Sequence, residues 1–273
     1  TLSAGNNLSI RATGSEQSQD GDIRIQGSQL KAGNDLLLNA QRDVVLEAAA
    51  NTQKLDGKSK SSGGAIGASL GVGPQGGGLS VFASVNQGAG KEKGNGTAWS
   101  ETALDAGRQV TLVSGRDTTL KGAQVSGEKV VADVGRDLSL QSLQDSDDYK
   151  SRQKNLSAGA SVAIIGVGGG ANFSASQSKI DSKYRSVQEQ TGLFAGKGGF
   201  EIEVGKHTQL DGAVIASTAE VERNRLSTDT LGWSDIRNKA DYQSQQQSVS
   251  VSGSNSGSGG FTGNMPNGML VAY

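Results

Sequence analysis

Gly115-Arg-Asp-Thr-Thr-Leu-Lys-Gly-Ala-Gln-Val125 recurs as Gly205-Lys-His-Thr-Gln-Leu-Asp-Gly-Ala-Val-Ile215. Each copy reads as a corner (Gly-Arg-Asp or Gly-Lys-His) followed by a short alternating strand, with Gly122-Ala-Gln-Val125 and Lys129-Val-Val-Ala132 as the other two sides of a circuit. A shorter form of the unit is scattered through the chain: Ala4-Gly-Asn-Asn-Leu-Ser-Ile10, Ala32-Gly-Asn-Asp-Leu-Leu-Leu38, Ala106-Gly-Arg-Gln-Val-Thr-Leu112 and Val134-Gly-Arg-Asp-Leu-Ser-Leu140. In each of these four, two aliphatic residues stand two apart and so share one side of a strand. A unit this short cannot bury its own apolar side, so copies must stack. Gly115 and Gly135 lie 20 residues apart, room for three short strands and three corners. The spacing predicts an all-β fold, a right-handed parallel β-helix (solenoid), carrying long antiparallel β-hairpin insertions.

Coils are predicted over 1–50, 101–143 and 197–236, about six or seven circuits and about 30 Å of stack at the 4.8 Å strand spacing. Two insertions, 51–100 and 144–196, share a plan of charged stem, alternating strand, glycine turn, alternating strand and charged stem. Asp241-Tyr-Gln-Ser-Gln-Gln246 echoes Asp148-Tyr-Lys-Ser-Arg-Gln153, so 237–273 is expected to start a third, truncated hairpin or to form a flexible tail. The chain reads as a piece of something longer.

Parity within the insertions carries the candidate site. In the first, Ile66, Ala68, Leu70 and Val72 share one side going out, and Leu79, Val81, Ala83 and Val85 share one side coming back. In the second, Ala158, Ala160, Val162 and Ile164 are answered by Ala171, Phe173 and Ala175. Even numbers pair with odd ones, so any register of odd sum gives a ribbon with one apolar and one polar face. Each alternating stretch is about nine residues, near the length of a tilted bilayer-crossing strand. These fifteen residues are the candidate membrane-facing positions. Trp99, Trp233, Tyr149, Tyr184 and Tyr242 lie near the stems, where they either cover the coil or form an interfacial belt.

Composition narrows the function classes. With 41 glycines, 2 prolines and 4% aromatic residues, the chain suits many tight turns, which favour residues tolerant of positive φ. A net charge of −1 gives no pull toward nucleic acid. The absence of cysteine excludes disulfides and thiolate metal sites. Thr1-Leu-Ser-Ala-Gly-Asn6 lacks the basic start and apolar core of a signal peptide.

No catalytic, cofactor or metal residue is assigned. Gly71-Val-Gly-Pro-Gln-Gly76 and Gly166-Val-Gly-Gly-Gly-Ala171 imitate dinucleotide fingerprints, but strands follow both where a phosphate-binding helix is needed. Gly192-Leu-Phe-Ala-Gly-Lys-Gly198 is one residue short of a phosphate loop. His207, the single histidine, takes the place of Asp117 in the repeat and reads as a corner residue. Glu201, Glu203, Asp145, Asp147 and Asp148 match no calcium loop. Parallel β-helices that process glycans gather acids and bases on one exposed sheet, and no such cluster recurs here.

Val187-Gln-Glu-Gln-Thr-Gly-Leu-Phe-Ala-Gly-Lys-Gly-Gly-Phe200, His207-Thr-Gln-Leu-Asp-Gly-Ala-Val-Ile-Ala-Ser217, Leu231-Gly-Trp-Ser-Asp-Ile236, Asn238-Lys-Ala-Asp-Tyr242 and Gly263-Asn-Met-Pro-Asn-Gly268 resemble haemagglutinin-repeat exoproteins. These include filamentous haemagglutinins and contact-dependent growth inhibition effectors. The likeness is greatest to their toxin-proximal second repeat region. It implies a non-enzymatic segment of a secreted virulence or competition exoprotein, exported by a partner outer-membrane transporter (two-partner secretion) to the bacterial cell surface. It further implies association with the target-cell outer membrane during toxin delivery, with the C-terminal toxin and its immunity protein outside this segment. The alternative implied role is a structural stalk or adhesin module binding cell surfaces.

Overall fold

The structure, a computed structural model, describes residues 1–15, 20–73, 76–166, 168–255, 262–264 and 267–272, leaving aside the side chains of 71–73, 76–77 and those from 262 onward. It is all-β. In chain order the strands are β1 Leu2–Ala4, β2 Leu8–Ala12, β3 Ile23–Gln26, β4 Gln29–Ala32, β5 Asp35–Ala40, β6 Val44–Glu47, β7 Ala49–Gly73 and β8 Gly76–Ser100. There follow β9 Thr102–Ser114, β10 Thr118–Lys121, β11 Ala123–Val134, β12 Leu138–Gln141, β13 Asp145–Ile165, β14 Gly169–Ser186 and β15 Gly192–Val204. The last are β16 His207–Asp211, β17 Val214–Ser217, β18 Arg225–Ser227, β19 Thr230–Ser234, β20 Lys239–Asn255, β21 Thr262–Asn264 and β22 Asn267–Ala272. Among the described residues the only helical turn is a 3₁₀ turn at Val221–Arg223.

The chain divides into two units. The first comprises Thr1–Thr52, Thr97–Ser146 and Arg185–Lys239; the second comprises Gln53–Gly96, Asp147–Tyr184 and Ala240–Tyr273.

The first unit holds two parallel sheets. One runs β1-β4-β9-β11-β15-β17, with β2 and β5 extending β9 and β18 joining β15; the other runs β3-β6-β10-β12-β16-β19. Register turns the sequence repeats into apolar columns. Leu2, Leu30, Leu104, Val125, Leu193 and Ile215 stack strand on strand. So do Ile10, Leu38, Leu112, Ala132, Ile202 and Leu226, and in the other sheet Ile25, Leu46, Leu120, Leu140, Leu210 and Trp233. Leu38, Leu112, Leu120, Leu140 and Ile202 are wholly buried, each such side chain contributing about 1.5–3 kcal/mol by leaving water.

The Gly-Arg-Asp corners form polar columns. The backbone N–H of Asp43 donates to Asp22 Oδ1, that of Asp117 to Asp43, that of Asp137 to Asp117 and that of His207 to Asp137, at 3.1–3.3 Å. Arg136 adds a two-pronged grip on Asp117 at 3.0 and 2.7 Å, which holds that carboxyl below its ordinary range. His207 ends the carboxylate column. Its ring bonds Thr230 Oγ1 at 2.7 Å and Gln209 Oε1 at 3.1 Å.

One expectation needs correcting. The corner glycines Gly33, Gly107, Gly115, Gly135 and Gly205 do not take positive φ. A Cβ on any of them would instead lie 2.0–2.2 Å from the carbonyl oxygen of the layer beneath. Close backbone approach, and not a left-handed conformation, demands glycine there.

Positive φ belongs to the second corner, at Gly27, Gly122 and Gly212, where β3, β10 and β16 turn directly into β4, β11 and β17. The intervening layers hold Ala48 and Ser142 at this corner, linked to the glycines by Gly27→Glu47, Ala48→Lys121, Gly122→Gln141 and Ser142→Asp211 backbone bonds. From these layers the chain departs into β7 and β13. It returns on a threonine: Thr102 and Thr191 take the register place of Ala123, and both are fully buried. Thr102 Oγ1 donates to Glu47 O at 2.6 Å and Thr191 Oγ1 donates to Gln141 O at 2.9 Å, each closing the gap its departing strand leaves. Hairpins therefore interrupt alternate layers at one corner.

Candidate functional site

The second unit is a single sheet in the order β7-β8-β13-β14-β20, with β21 and β22 both antiparallel to β20. The sequence reading gave each hairpin strand about nine residues. The strands are far longer, 25 residues each in β7 and β8, 21 in β13 and 18 in β14, because the charged stems continue the extended backbone.

Cross-strand contacts fix the faces. In the first hairpin Ser69 Oγ meets Ser80 Oγ at 2.7 Å. Gly67 lies under the Phe82 ring, Gly63 beside Asn86, Ser61 beside Gly88 and Ser59 beside Gly90. In the second, Ser157 Oγ meets Ser174 Oγ at 2.6 Å, Gly159 lies beside Asn172 and Ala163 N donates to Gly168 O at 2.8 Å. Within each hairpin these pairs have one constant odd sum. Between hairpins Gly88 lies beside Asn155 and Gly90 beside Gln153, again a constant odd sum. Gly170 lies against Ser254, which carries the alternation into β20.

The side-chain contacts among these belong to the polar face. The other face collects Ile66, Ala68 and Leu70 of β7, Leu79, Val81, Ala83 and Val85 of β8, Ala158, Ala160, Val162 and Ile164 of β13, and Ala171, Phe173 and Ala175 of β14. The side chain of Val72 lies outside the described residues. Four of the rows run straight across: Ile66-Ala83-Ala160-Ala171, Ala68-Val81-Val162-Gly169, Gly64-Val85-Ala158-Phe173-Val251, and Gln87-Leu156-Ala175-Val249. The face is open: Ile66 is 90% exposed, Leu70 83%, Val162 61% and Ile164 60%. From Leu156 to Ile164 the band measures about 27 Å along the strand, close to the apolar height of about 25 Å on an outer-membrane barrel.

Leu156, Val249 and Val251 extend the band, and sequence reading did not include them. Their parity was the available signal. Phe82 departs from the pattern, lying on the polar face above Gly67, whose missing side chain makes the room.

At the roots of the hairpins, within the first unit, carboxyls crowd. Burial first, then the charges of Glu189 and Asp145, push Glu101 up to about 7. Its Oε2 is buried without a donor; two facing carboxylates offer none until one is protonated, and a proton on Glu101 supplies it. A carboxyl whose proton is held more tightly in the folded chain stabilises the fold fully below the ordinary glutamate range, and that stability is lost as pH rises through about 7. Thermal unfolding at pH 5.5 is therefore expected to occur about 3 °C above that at pH 8, and Glu101→Gln should abolish most of the difference.

Set against known proteins, the chain matches the family model described as Hemagglutinin repeat over residues 1–156. It is similar to Toxin CdiA of Escherichia coli (58% identical over 92% of this chain and 8% of that protein). It is similar to tRNA nuclease CdiA of Escherichia coli strain NC101 (54%, all of this chain, 8% of that protein). Deoxyribonuclease CdiA of Yersinia pseudotuberculosis serotype O:3 (strain YPIII) is 57% identical over 92% of this chain and 23% of that protein. The chain thus spans only 8–23% of the length of these relatives. No solved structure matches it.

Proposed function

The chain belongs to the hemagglutinin-repeat family, and from that premise we propose that it is a non-enzymatic segment of a secreted surface exoprotein used in contact-dependent growth inhibition. Its parallel ladders wind as a right-handed β-helix that serves as a scaffold. Its hairpin sheet associates with the target-cell outer membrane and helps a C-terminal toxin across. The exoprotein is exported by a partner outer-membrane transporter, and the C-terminal toxin and its immunity protein lie outside this segment.

The observation that carries this reading is the unbroken apolar band across β7, β8, β13, β14 and β20, backed by a serine- and glycine-rich face. An open sheet edge in hydrocarbon is costly, so insertion needs edges that are paired or shared. Five strands in one register leave only two edges to satisfy. The non-enzymatic assignment is supported by the relatives: proteins named for tRNA nuclease and deoxyribonuclease activity share this segment at 54–57% identity, so the segment does not distinguish their activities.

The test uses the absence of native cysteine. A polarity-sensitive dye on Val162→Cys should report hydrocarbon when vesicles are added, while the same dye on Ser161→Cys reports water. Equal aqueous signals would leave the chain as a structural stalk or adhesin module.

A further inference from the structure

Below the apolar band, the same face of the sheet changes character. Gly57 lies beside Glu92 and Ser59 beside Gly90 on the polar face, which sets Lys58 opposite Lys91 on the other. Gly90 lies beside Gln153, which sets Lys91 opposite Arg152. Arg152 and Lys150 both act on Asp181, whose carboxylate pairs with Lys179 at 2.9 Å, so the row continues to Lys179. Four cations thus stand side by side on four adjacent strands. One step nearer the apolar band, Lys60 and Lys154 line a shallow groove of about 690 Å³ whose apolar side is Leu156 and Val249.

Like charges on directly opposed strands repel. A row of them, kept exposed on a face whose next rows are aliphatic, suits an anionic partner. Lys58, Lys60, Lys91, Arg152 and Lys154 are all exposed. Asp181, one row further from the apolar band, pairs with Lys179 and also lies within reach of Arg152 and Lys150.

We propose that this row, with Lys60 and Lys154 above it, is a docking site for the phosphate headgroups of an anionic lipid bilayer, set at the depth where the apolar band ends. The proposal rests on the membrane reading above and adds to it the chemistry of the partner. Lipid phosphates lie in a plane bordering hydrocarbon, and the sheet presents cations in a line bordering aliphatic side chains. Lysine stems can lie along the apolar rows while their ammonium groups reach the phosphates.

The experiment is vesicle flotation of the whole chain at low salt, with phosphatidylcholine vesicles and with vesicles carrying phosphatidylglycerol. Wild type should bind the anionic vesicles more tightly, by about 100-fold for three charges near the surface, and the preference should shrink as salt is raised. Lys58→Gln/Lys91→Gln/Arg152→Gln should lose the preference and keep the phosphatidylcholine binding. Val162→Asp is the companion variant and should weaken binding to both vesicle types. Equal wild-type affinity for the two vesicles, or a triple variant that keeps the preference, overturns the headgroup site. If Val162→Asp leaves both affinities unchanged, the membrane reading itself fails. Far-ultraviolet circular dichroism of every variant confirms that the sheet persists.

Discussion

Removing residues 154–180 from the full-length exoprotein is expected to leave export and surface display intact and to abolish toxin delivery to target cells. The excision takes out the outer half of the second hairpin. That half contains Leu156, Ala158, Ala160, Val162, Ile164, Ala171, Phe173 and Ala175, and so the centre of every apolar row. It spares the parallel ladders, because the hairpin leaves after β12 and returns on Thr191, whose bonds to Gln141 and Ala123 lie outside the deleted stretch. The stump can still close, since Lys150 and Asp181 are near neighbours across it and the residues between them suffice for a tight turn. Delivery is read by growth of target cells in co-culture, and display by surface labelling of the inhibitor. Normal inhibition by the shortened protein would remove the hairpin sheet from the mechanism.

The second large effect concerns the scaffold. Gly135→Ala places a Cβ 2.2 Å from the carbonyl oxygen of Gly115, and Gly115 and Gly205 sit in the same way on Gln41 and Gly135. The collision is with backbone, so no side-chain rotation relieves it. Moving the corner outward breaks the Gly135 N–H bond to Ser114 O at 2.9 Å and the Arg136 N–H bond to Arg116 O at 2.7 Å, and pulls Arg136 off Asp117. A loss of about 3 kcal/mol, or a fall in Tm of about 10 °C, is expected, and more for Gly135→Val. Gly5→Ala is the control, because nothing lies within 4 Å of a Cβ there; it should be close to neutral. Equal behaviour of the two alanine variants in thermal unfolding would refute close approach as the reason for the corner glycine.

How far the residues alone reach can be judged at particular positions. The copies at Gly115, Gly135 and Gly205 aligned Leu120 with Leu140 and Leu210, and Val125 with Ile215, because a period of two and a repeated corner leave one register that buries the aliphatic side chains; Leu193, which the sequence reading left in the second insertion, takes the layer between Val125 and Ile215. The opposed parities of 158–164 and 171–175 placed those residues on one face for the same reason. The joining of separate hairpins into one sheet was not legible. Strand alternation specifies which side a residue takes but says nothing about which edge it meets, and Gly88 against Asn155 is a contact between segments of different hairpins. The length of the strands was obscured by Lys54–Lys60 and Lys91–Lys93, which read as a charged stem; on a sheet with a solvated face such residues are ordinary strand positions. The cation row was hidden by the same reading, although the even numbers of Lys58, Lys60, Arg152 and Lys154 and the odd number of Lys91 match the apolar residues above them. The conformation of the corner glycines was not legible, because composition reports that tight turns need glycine and not which of its two permissions a given corner uses.

The most direct test of the account reads solvent polarity across a row and not along one strand. Single cysteines at Ile66, Val81, Val162, Phe173 and Val251 sample the apolar face on five strands, and cysteines at Ser69, Ser80, Ser161, Asn172 and Ser252 sample the opposite face; each is unique in a chain without native cysteine. With anionic vesicles present, depth-dependent quenching by lipid-borne quenchers is predicted at every position of the first set and aqueous quenching at every position of the second. Aqueous quenching at both sets, or quenching that does not divide by face, would contradict the claim that this sheet meets a membrane with one side.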